Sequence, residues 1–145
     1  MGKIVGFGLS TATLLIVSGI ASGFSFELQG AMFKTGHPLK GETLESAAAS
    51  KDEIANLNRS VRILEHYPFT TFEVAGFTDQ HECSGSVCHQ LALRRALLVY
   101  RFLLDNGIDP HRVTSLTEHG PAMPIAGPEE CQRNQRAEIN PSLEP

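Results

Sequence analysis

An acidic and a basic residue, carried by a strand and the helix that follows it, are the first candidates for binding chemistry. Asp79 comes directly after the apolar, β-branched stretch "FTTFEVAGFT" (69–78), and Arg95 lies within the helix-like stretch 89–106. A carboxylate accepts hydrogen bonds from an ammonium, whereas a guanidinium clamps a carboxylate with two parallel hydrogen bonds. Together the two side chains predict a site for a zwitterion.

The position of Arg95 on its helix separates it from the other charged residues there. Arg94, Arg101 and Asp105 share one face, which we expect to be solvated. Arg95 lies about 100° around the helix. Its helical neighbours are apolar: Leu91, Leu98, Val99 and Phe102. We therefore expect a packed stem, a guanidinium at the rim of the core, and a nearby acceptor, since an unpaired buried charge costs about 3–5 kcal/mol.

Taken singly, each of these residues has a plainer interpretation. Arg95 suits a structural salt bridge, and Asp79 suits a cap or turn residue after a strand. As a pair they fit a ligand site better, because Asp79 ends a strand and Arg95 lies near the second turn of the next helix. Open α/β sheets bind ligands at this carboxyl end.

The whole chain must supply one domain that positions this pair. It has 145 residues, of which 41% are hydrophobic and 19% charged, so it is long and apolar enough to form a core. Its formal net charge is −4, which argues against a nucleic acid partner, because phosphate binding needs a concentrated basic surface.

The N-terminal segment 1–23 differs in composition from the rest. It has one cation, Lys3, no acidic residue, an apolar middle, and small residues at its end. This order is typical of a secretory signal peptide, with an uncleaved N-terminal membrane anchor as the alternative. We therefore expect a signal or anchor at 1–23 and an exported domain at 24–145, located in the periplasm or cell envelope.

Hydrophobic periodicity predicts the order β-α-β-α-β-β. Ser50 and Glu53 have the spacing of a capping box at the start of the first helix, which the Tyr67-Pro68 pair ends. Gly107 is expected to end the second helix. The predicted strands are 24–33, 69–78, the later part of 109–120, and 136–141; the predicted helices start near 50 and span 89–106. Alternating helices and strands indicate an α/β fold with helices packed on a sheet.

The ordered motifs "FEVAGFTD", "LALRRALLVYRFLLDNGIDPHRV", "EHGPAMP" and "NQRAEI" resemble the OmpA-like peptidoglycan-binding domain over roughly residues 25–141. The family's strand-ending Thr-Asp matches Thr78 and Asp79, and its helix motif matches Leu91, Arg95 and Ala96. Its terminal motif matches Asn134 to Arg136. The resemblance implies a mixed sheet with helices on one face.

The resemblance also implies a function and roles for individual residues. Family members bind the peptidoglycan stem peptide non-covalently through diaminopimelate, without a cofactor. By resemblance, Asp79 takes the ammonium and Arg95 the carboxylate, with Thr78, Leu91 and Arg136 at the pocket rim. The implied partners are peptidoglycan and an outer-membrane or other envelope protein.

This chain departs from the family pattern around the predicted pocket. Phe77 stands where the family has His, Gln135 replaces one of two arginines, and Cys88 stands near an Asn position. The loop after Asp79 is about one residue longer. These changes indicate a remodelled ligand rim.

The cysteines in this loop have two interpretations. Export favours a disulfide between Cys83 and Cys88, which would hold the loop that positions Asp79. The alternative is a zinc site made by His81, Cys83, Cys88 and His89. Cys131 is left over, or pairs with one loop cysteine if the terminal loop comes near.

We therefore expect a non-enzymatic module that tethers something to the cell wall. A protein-binding adaptor with the same fold is the alternative. A hydrolase fits less well, because one acid beside an arginine supplies neither a nucleophile nor a second carboxylate for glycan cleavage.

Overall fold

A computed structural model describes residues 27–142 of the chain. Segment 1–23, with its expected signal or anchor, and the first residues of the strand predicted at 24–33 lie outside the described residues. Within 27–142, no helix is both long enough and apolar enough to span a membrane.

Four strands and three α-helices make up this part of the chain. In chain order they are β1 (Ala31–Met32), α1 (Leu44–Ala47), α2 (Lys51–His66), β2 (Phe72–Gly76), α3 (Ser86–Asp105), β3 (Val113–Glu118) and β4 (Arg136–Pro141). Short 3-10 helices at Pro110–Arg112 and Pro128–Asn134 precede β3 and β4. The mixed α/β class predicted from the sequence is confirmed; α1 is an addition.

The sheet has the order β1-β4-β2-β3 and is mixed. β2 and β3 run parallel, while β4 is antiparallel to both β1 and β2. β2 is therefore central, as its continuous apolar sequence predicts. Its register places Val74 opposite Ile139 and Gly76 opposite Ala137.

Both long helices pack on one face of this sheet. Phe72 and Val74 of β2 point to the same side, as do Ala137 and Ile139 of β4, because alternate residues of a strand share a face. All four belong to one buried apolar cluster. The helices contribute to the same cluster with Leu57, Val61 and Leu64 from α2 and Ala96, Val99 and Leu103 from α3.

The start of α2 differs from the predicted capping box. Ser50 is the N-cap residue, but its side chain makes no capping hydrogen bond. Glu53 is buried, and its Oε2 accepts a hydrogen bond of 2.9 Å from the Met32 amide. The carboxylate thus satisfies a donor of β1 rather than one of its own helix, which ties α2 to the sheet.

The end of α3 follows the sequence prediction. Asn106 is the C-cap residue, and Gly107 adopts φ of 87°, the left-handed conformation that glycine tolerates best. The helix begins at Ser86, three residues before the predicted start, so its first turn includes Cys88.

Candidate ligand-binding site

Asp79 lies just beyond β2, on the wall of a cavity of about 250 Å³. The segment that carries it continues the sheet pairing, since Phe77 N donates to Arg136 O and Thr78 N donates to Gly120 O. Only 4% of the residue is exposed. The cavity is lined by Thr78, Asp79, Gln80, His81, Pro121, Pro124, Ala126, Gly127, Pro128, Cys131 and Asn134.

The cavity wall presents acceptors that lack a charged partner. Among residues 27–142, no Lys, Arg or His side chain forms an ion pair with Asp79. The Oγ1 atom of Thr78 is buried and has no hydrogen-bond partner in this part of the chain. Buried polar groups normally find a partner, so the unpartnered Thr78 Oγ1 and the Asp79 carboxylate, whose described side-chain partner is the uncharged Cys131 thiol, favour a ligand that brings hydrogen-bond donors and a positive charge.

Cys131 contributes a free thiol to the same wall. Burial raises the pKa of this thiol, and the charge of the nearby Asp79 carboxylate, together with a hydrogen bond to it, raises the pKa further. The thiol therefore stays protonated at neutral pH and is a poor nucleophile. The sequence did not point to Cys131 as a neighbour of Asp79, because 51 intervening positions separate them and no motif relates them.

Arg95 lies deeper than predicted. Its guanidinium does not emerge at the rim of the core, since 0% of the residue is exposed. The reason is that a complete set of acceptors surrounds it. Nε donates to His37 O (2.8 Å), Nη1 to Phe77 O (2.9 Å) and Glu82 Oε2 (2.8 Å), and Nη2 to Lys34 O (3.3 Å) and Glu82 Oε1 (2.6 Å). All five N–H donors are thereby used.

Glu82 is the acceptor that the buried charge of Arg95 required. The two form a bidentate ion pair in which both side chains are 0% exposed. Glu82 also accepts from the Gly36 amide (2.8 Å, Oε1) and the Asp79 amide (2.8 Å, Oε2). No sequence signal distinguishes Glu82 as this acceptor, because an acid inside a Cys-, Ser- and Gly-containing loop has the appearance of a solvated residue.

The loop that carries Glu82 is closed by a disulfide. Cys83 and Cys88 are joined, with their Cα atoms 5.2 Å apart. This geometry contradicts the zinc alternative, because neither sulfur is available as a thiolate ligand. Within residues 27–142, no three His, Cys, Asp or Glu side chains are grouped so that they could hold a metal ion. The pairing also leaves Cys131 free, although it lies near the loop.

A second loop, residues 34–42, supplies three of the groups around the ion pair: Lys34 O, Gly36 N and His37 O. Glu42 organises this loop. Burial alone would raise the pKa of Glu42, but hydrogen bonds from three neighbours outweigh it and lower the pKa to about 2. The donors are the Leu39 amide, the His37 ring and the Ser46 hydroxyl. Glu42 is therefore ionised at neutral pH and ties the loop together and to Ser46 of α1, whereas Arg94 and Arg95 bond the loop to α3.

The comparisons with known proteins agree with this architecture. The family model described as "OmpA family" matches residues 44–138. The chain belongs to the OmpA family.

Individual relatives show which proteins this OmpA-family chain is similar to. Motility protein B of Helicobacter pylori (strain J99) is 29% identical over an alignment of 118 residues, which covers 77% of this chain and 46% of that protein. The chain thus spans less than half the length of this curated relative. The crystal structure of the C-terminal domain of H. pylori MotB superposes with a TM-score of 0.63 at 25% identity, covering 79% of this chain and 84% of that one.

Two further solved structures share the fold. The peptidoglycan-associated lipoprotein from Burkholderia pseudomallei has a TM-score of 0.61 at 18% identity and covers 79% of this chain and 90% of that one. The OmpA-like domain of FopA1 from Francisella tularensis has a TM-score of 0.57 at 16% identity and covers 78% and 72%. At these identities the likeness shows the fold alone.

The family departures noted in the sequence cluster beside the cavity. The Phe77 ring stacks on the His119 ring, with the two centroids 5.1 Å apart. The Arg136 guanidinium also lies over the Phe77 ring, 4.0 Å from its centroid. Gln135 is buried, and its Oε1 accepts from Thr35 Oγ1. These side chains support the walls of the site rather than facing its interior.

The residues predicted for the pocket rim fall in different places. Thr78 lines the cavity, whereas Leu91 is buried within α3 and, like Arg136, is absent from the described lining. Arg136 bonds to Glu138 (2.7 Å) and leaves its Nη1 atom buried without a partner among residues 27–142. Asp79 and Arg95 are linked through Glu82, whose Oε2 accepts from both the Asp79 amide and Arg95 Nη1.

Proposed function

We propose that this OmpA-family domain binds the peptidoglycan stem peptide non-covalently, through its diaminopimelate residue. Asp79 receives the side-chain ammonium and Arg95 the carboxylate. The observation that carries the proposal is the buried Asp79 carboxylate, which faces a cavity and has no ion-pair partner among residues 27–142.

An ammonium supplies the hydrogen-bond donors and the positive charge that the Asp79 side of the cavity wall lacks. Its three donors suit the Asp79 carboxylate and the unpartnered Thr78 Oγ1, and its charge offsets the cost of the buried acid. The volume of about 250 Å³ is below the about 300–1,000 Å³ of typical drug-sized pockets. A cavity of this size suits one residue of a polymer, held while the remainder of the polymer stays in solvent.

Binding without catalysis is part of the proposal. The cavity is lined by one carboxylate, the His81 ring and a thiol whose pKa is raised. His81 is bonded to Gln80 and forms no ion pair with Asp79 among residues 27–142, so the described side chains do not form a coupled acid and base or an activated nucleophile. The relatives support a cell-envelope setting: one is named peptidoglycan-associated lipoprotein, and a MotB structure is described as a periplasmic domain. We infer the same setting here.

Co-sedimentation with purified peptidoglycan sacculi tests the proposal. Wild-type protein should sediment with sacculi that contain diaminopimelate. Asp79→Asn should weaken binding by about tenfold or more, because a charge-assisted hydrogen bond contributes about 1.5–3 kcal/mol. The matched control is Asp105→Asn, which changes the same chemistry at an exposed position at the end of α3 and should bind like wild type.

Two results would contradict the proposal. One is wild-type protein that stays in the supernatant, which would favour the protein-binding adaptor. The other is equal binding by wild type and Asp79→Asn, which would place the ligand elsewhere on the surface. Thermal unfolding of each variant, measured in parallel, separates a lost contact from a lost fold.

A further inference from the structure

Glu82 fills a site that has the features of a carboxylate receptor. Four N–H groups converge on its two oxygens: the Gly36 and Asp79 amides and Nη1 and Nη2 of Arg95, at 2.6–2.8 Å. We call these four donors the carboxylate cradle. Two charged and two main-chain donors in one place would bind any carboxylate of suitable reach, whether from this chain or from a ligand.

We propose that Glu82 is an internal competitor that occupies the cradle in place of a ligand carboxylate. This inference rests on the proposed function, in which Arg95 receives the carboxylate of diaminopimelate. Because all five donors of Arg95 are used, a ligand carboxylate reaches Arg95 only when Glu82 leaves.

The exchange conserves the charge of the buried site. A ligand carboxylate that replaces Glu82 leaves the cradle with one anion and the same four donors, so Arg95 is never left unpaired. The three remaining guanidinium donors keep their main-chain acceptors throughout: His37 O, Phe77 O and Lys34 O. The displaced carboxylate of Glu82 gains hydration at the surface.

The placement of Glu82 makes such a movement compatible with the fold. It belongs to the loop between β2 and α3 rather than to either element, and residues Ser84, Gly85 and Ser86 just beyond it are exposed. Its neighbour Cys83 is joined to Cys88, so the ring limits how far Glu82 travels. A tethered competitor of this kind is present at high effective concentration.

Competition lowers the apparent affinity for the ligand. When only a fraction of the molecules has an open cradle, the apparent dissociation constant rises by the inverse of that fraction. Removing the competitor removes this factor. Glu82→Ala should therefore bind meso-diaminopimelate more tightly than wild type by about tenfold or more, which corresponds to a cradle open in about one molecule in ten.

A second measurement uses acetate as a small probe of the cradle. Glu82→Ala leaves four donors and a buried cation without their partner, so its thermal unfolding temperature should fall. Acetate should restore that temperature in a saturable manner, while chloride at equal ionic strength should not. Wild type should respond only at an acetate concentration about tenfold higher or more, and the control Glu130→Ala, which changes an exposed acid near the same cavity, should respond like wild type.

If Glu82→Ala does not fold, Glu82→Gln replaces it. The glutamine keeps the volume but loses the charge, so it competes less strongly and should also tighten binding of meso-diaminopimelate. An unchanged or weakened affinity in the folded variant would overturn the inference, because Glu82 would then be part of the scaffold. So would a Glu82→Ala protein that shows no response to acetate.

The outcomes separate this inference from the proposed function. If the wild type binds sacculi and the Glu82 variants bind no more tightly, the proposed function is supported and the competition by Glu82 is contradicted. The wild type and the variants could instead bind neither sacculi nor diaminopimelate, while Glu82→Ala still binds acetate. That result would contradict both the proposed function and the competition for diaminopimelate. Acetate uptake would then show only that Glu82 fills an exchangeable carboxylate site.

Discussion

At the scale of single residues, three buried acids of this chain differ in the partners that surround them. Glu53 accepts from the Met32 amide of β1, and Glu82 accepts from two amides and Arg95. Both are therefore satisfied within the fold. Asp79 uses its main chain to hold Glu82 but points its carboxylate toward a cavity without a cation from residues 27–142. The carboxylate of Asp79 is instead bonded to the uncharged Cys131 thiol, which is why the proposed function gives Asp79 the ligand's ammonium.

Alkylation of the cysteines tests the surroundings of Asp79. Without reductant, intact-mass analysis should show one iodoacetamide adduct, at Cys131, because the other two thiols form the disulfide. The reaction at pH 8 should be several-fold slower than that of a free cysteine, since burial and then Asp79 raise the pKa of the thiol. Asp79→Asn should accelerate it by removing the negative charge.

The control for this measurement is Cys131→Ser, which should take up no adduct without reductant. Three adducts on the untreated wild-type protein would contradict the disulfide. An unaltered rate in Asp79→Asn would contradict the closeness of Asp79 and Cys131.

Residue-level prediction from the sequence succeeded where a motif or a helix face carried the information. The burial of the Arg95 stem and its need for an acceptor follow from its apolar helical neighbours. The identity of that acceptor did not follow, because the path of the loop after Asp79 determines whether Glu82 points inward. The approach of Cys131 to Asp79 depends in the same way on how the loop before β4 folds over the sheet.

At the scale of elements, the contact between β2 and α3 fixes the distance between the acid and the arginine. Gly76, the last residue of β2, makes this contact close. A Cβ atom there would lie 1.8 Å from the main-chain oxygen of Ala92 in α3. The strand that leads to Asp79 and the helix that carries Arg95 therefore touch backbone to backbone.

Gly76→Ala tests the importance of this contact. The added methyl group would force β2 and α3 apart, and overpacking of this kind costs about 1–3 kcal/mol of unfolding free energy. We expect that loss in chemical denaturation, together with weaker binding to sacculi. Gly127→Ala is the control for stability alone, because a Cβ there meets nothing within 4 Å and the backbone φ is −78°, whereas its place in the cavity lining leaves it unsuited as a binding control. Equal stability of the two variants would show that the helix and strand adjust without cost.

Sequence periodicity predicts most of the strands and helices. β2, α3, β3 and β4 lie where apolar patterns and the Gly107 stop predict them, with shifts of a few residues at their ends. The four-residue helix α1 was missed, since it is too short to show a period. Within the described residues the first strand is limited to Ala31–Met32, at the edge of the sheet beside β4.

At the scale of the whole molecule, the sheet order brings three separate chain segments to one end of the domain. At this end lie the segment after β2 that carries Asp79, the loop before β4, and the loop 34–42. They supply the cavity wall, its thiol and part of the carboxylate cradle. Membership of the OmpA family accounts for this arrangement of strands and helices. The disulfide ring and Glu82 lie beside the candidate site at this end of the domain.

The central claim is that the cavity beside Asp79 receives the diaminopimelate of peptidoglycan. Its most direct test is a titration of the isotope-labelled protein with a purified stem peptide that contains meso-diaminopimelate, followed by NMR. We predict saturable shifts of the amides of Thr78, Asp79 and Cys131, which line the cavity, and of the Arg95 Nε–H group, because the Arg95 guanidinium shares the Glu82 carboxylate with the Asp79 amide. Shifts confined to Leu39 and Leu93, exposed residues that do not line the cavity, or no shifts at all, would contradict the account.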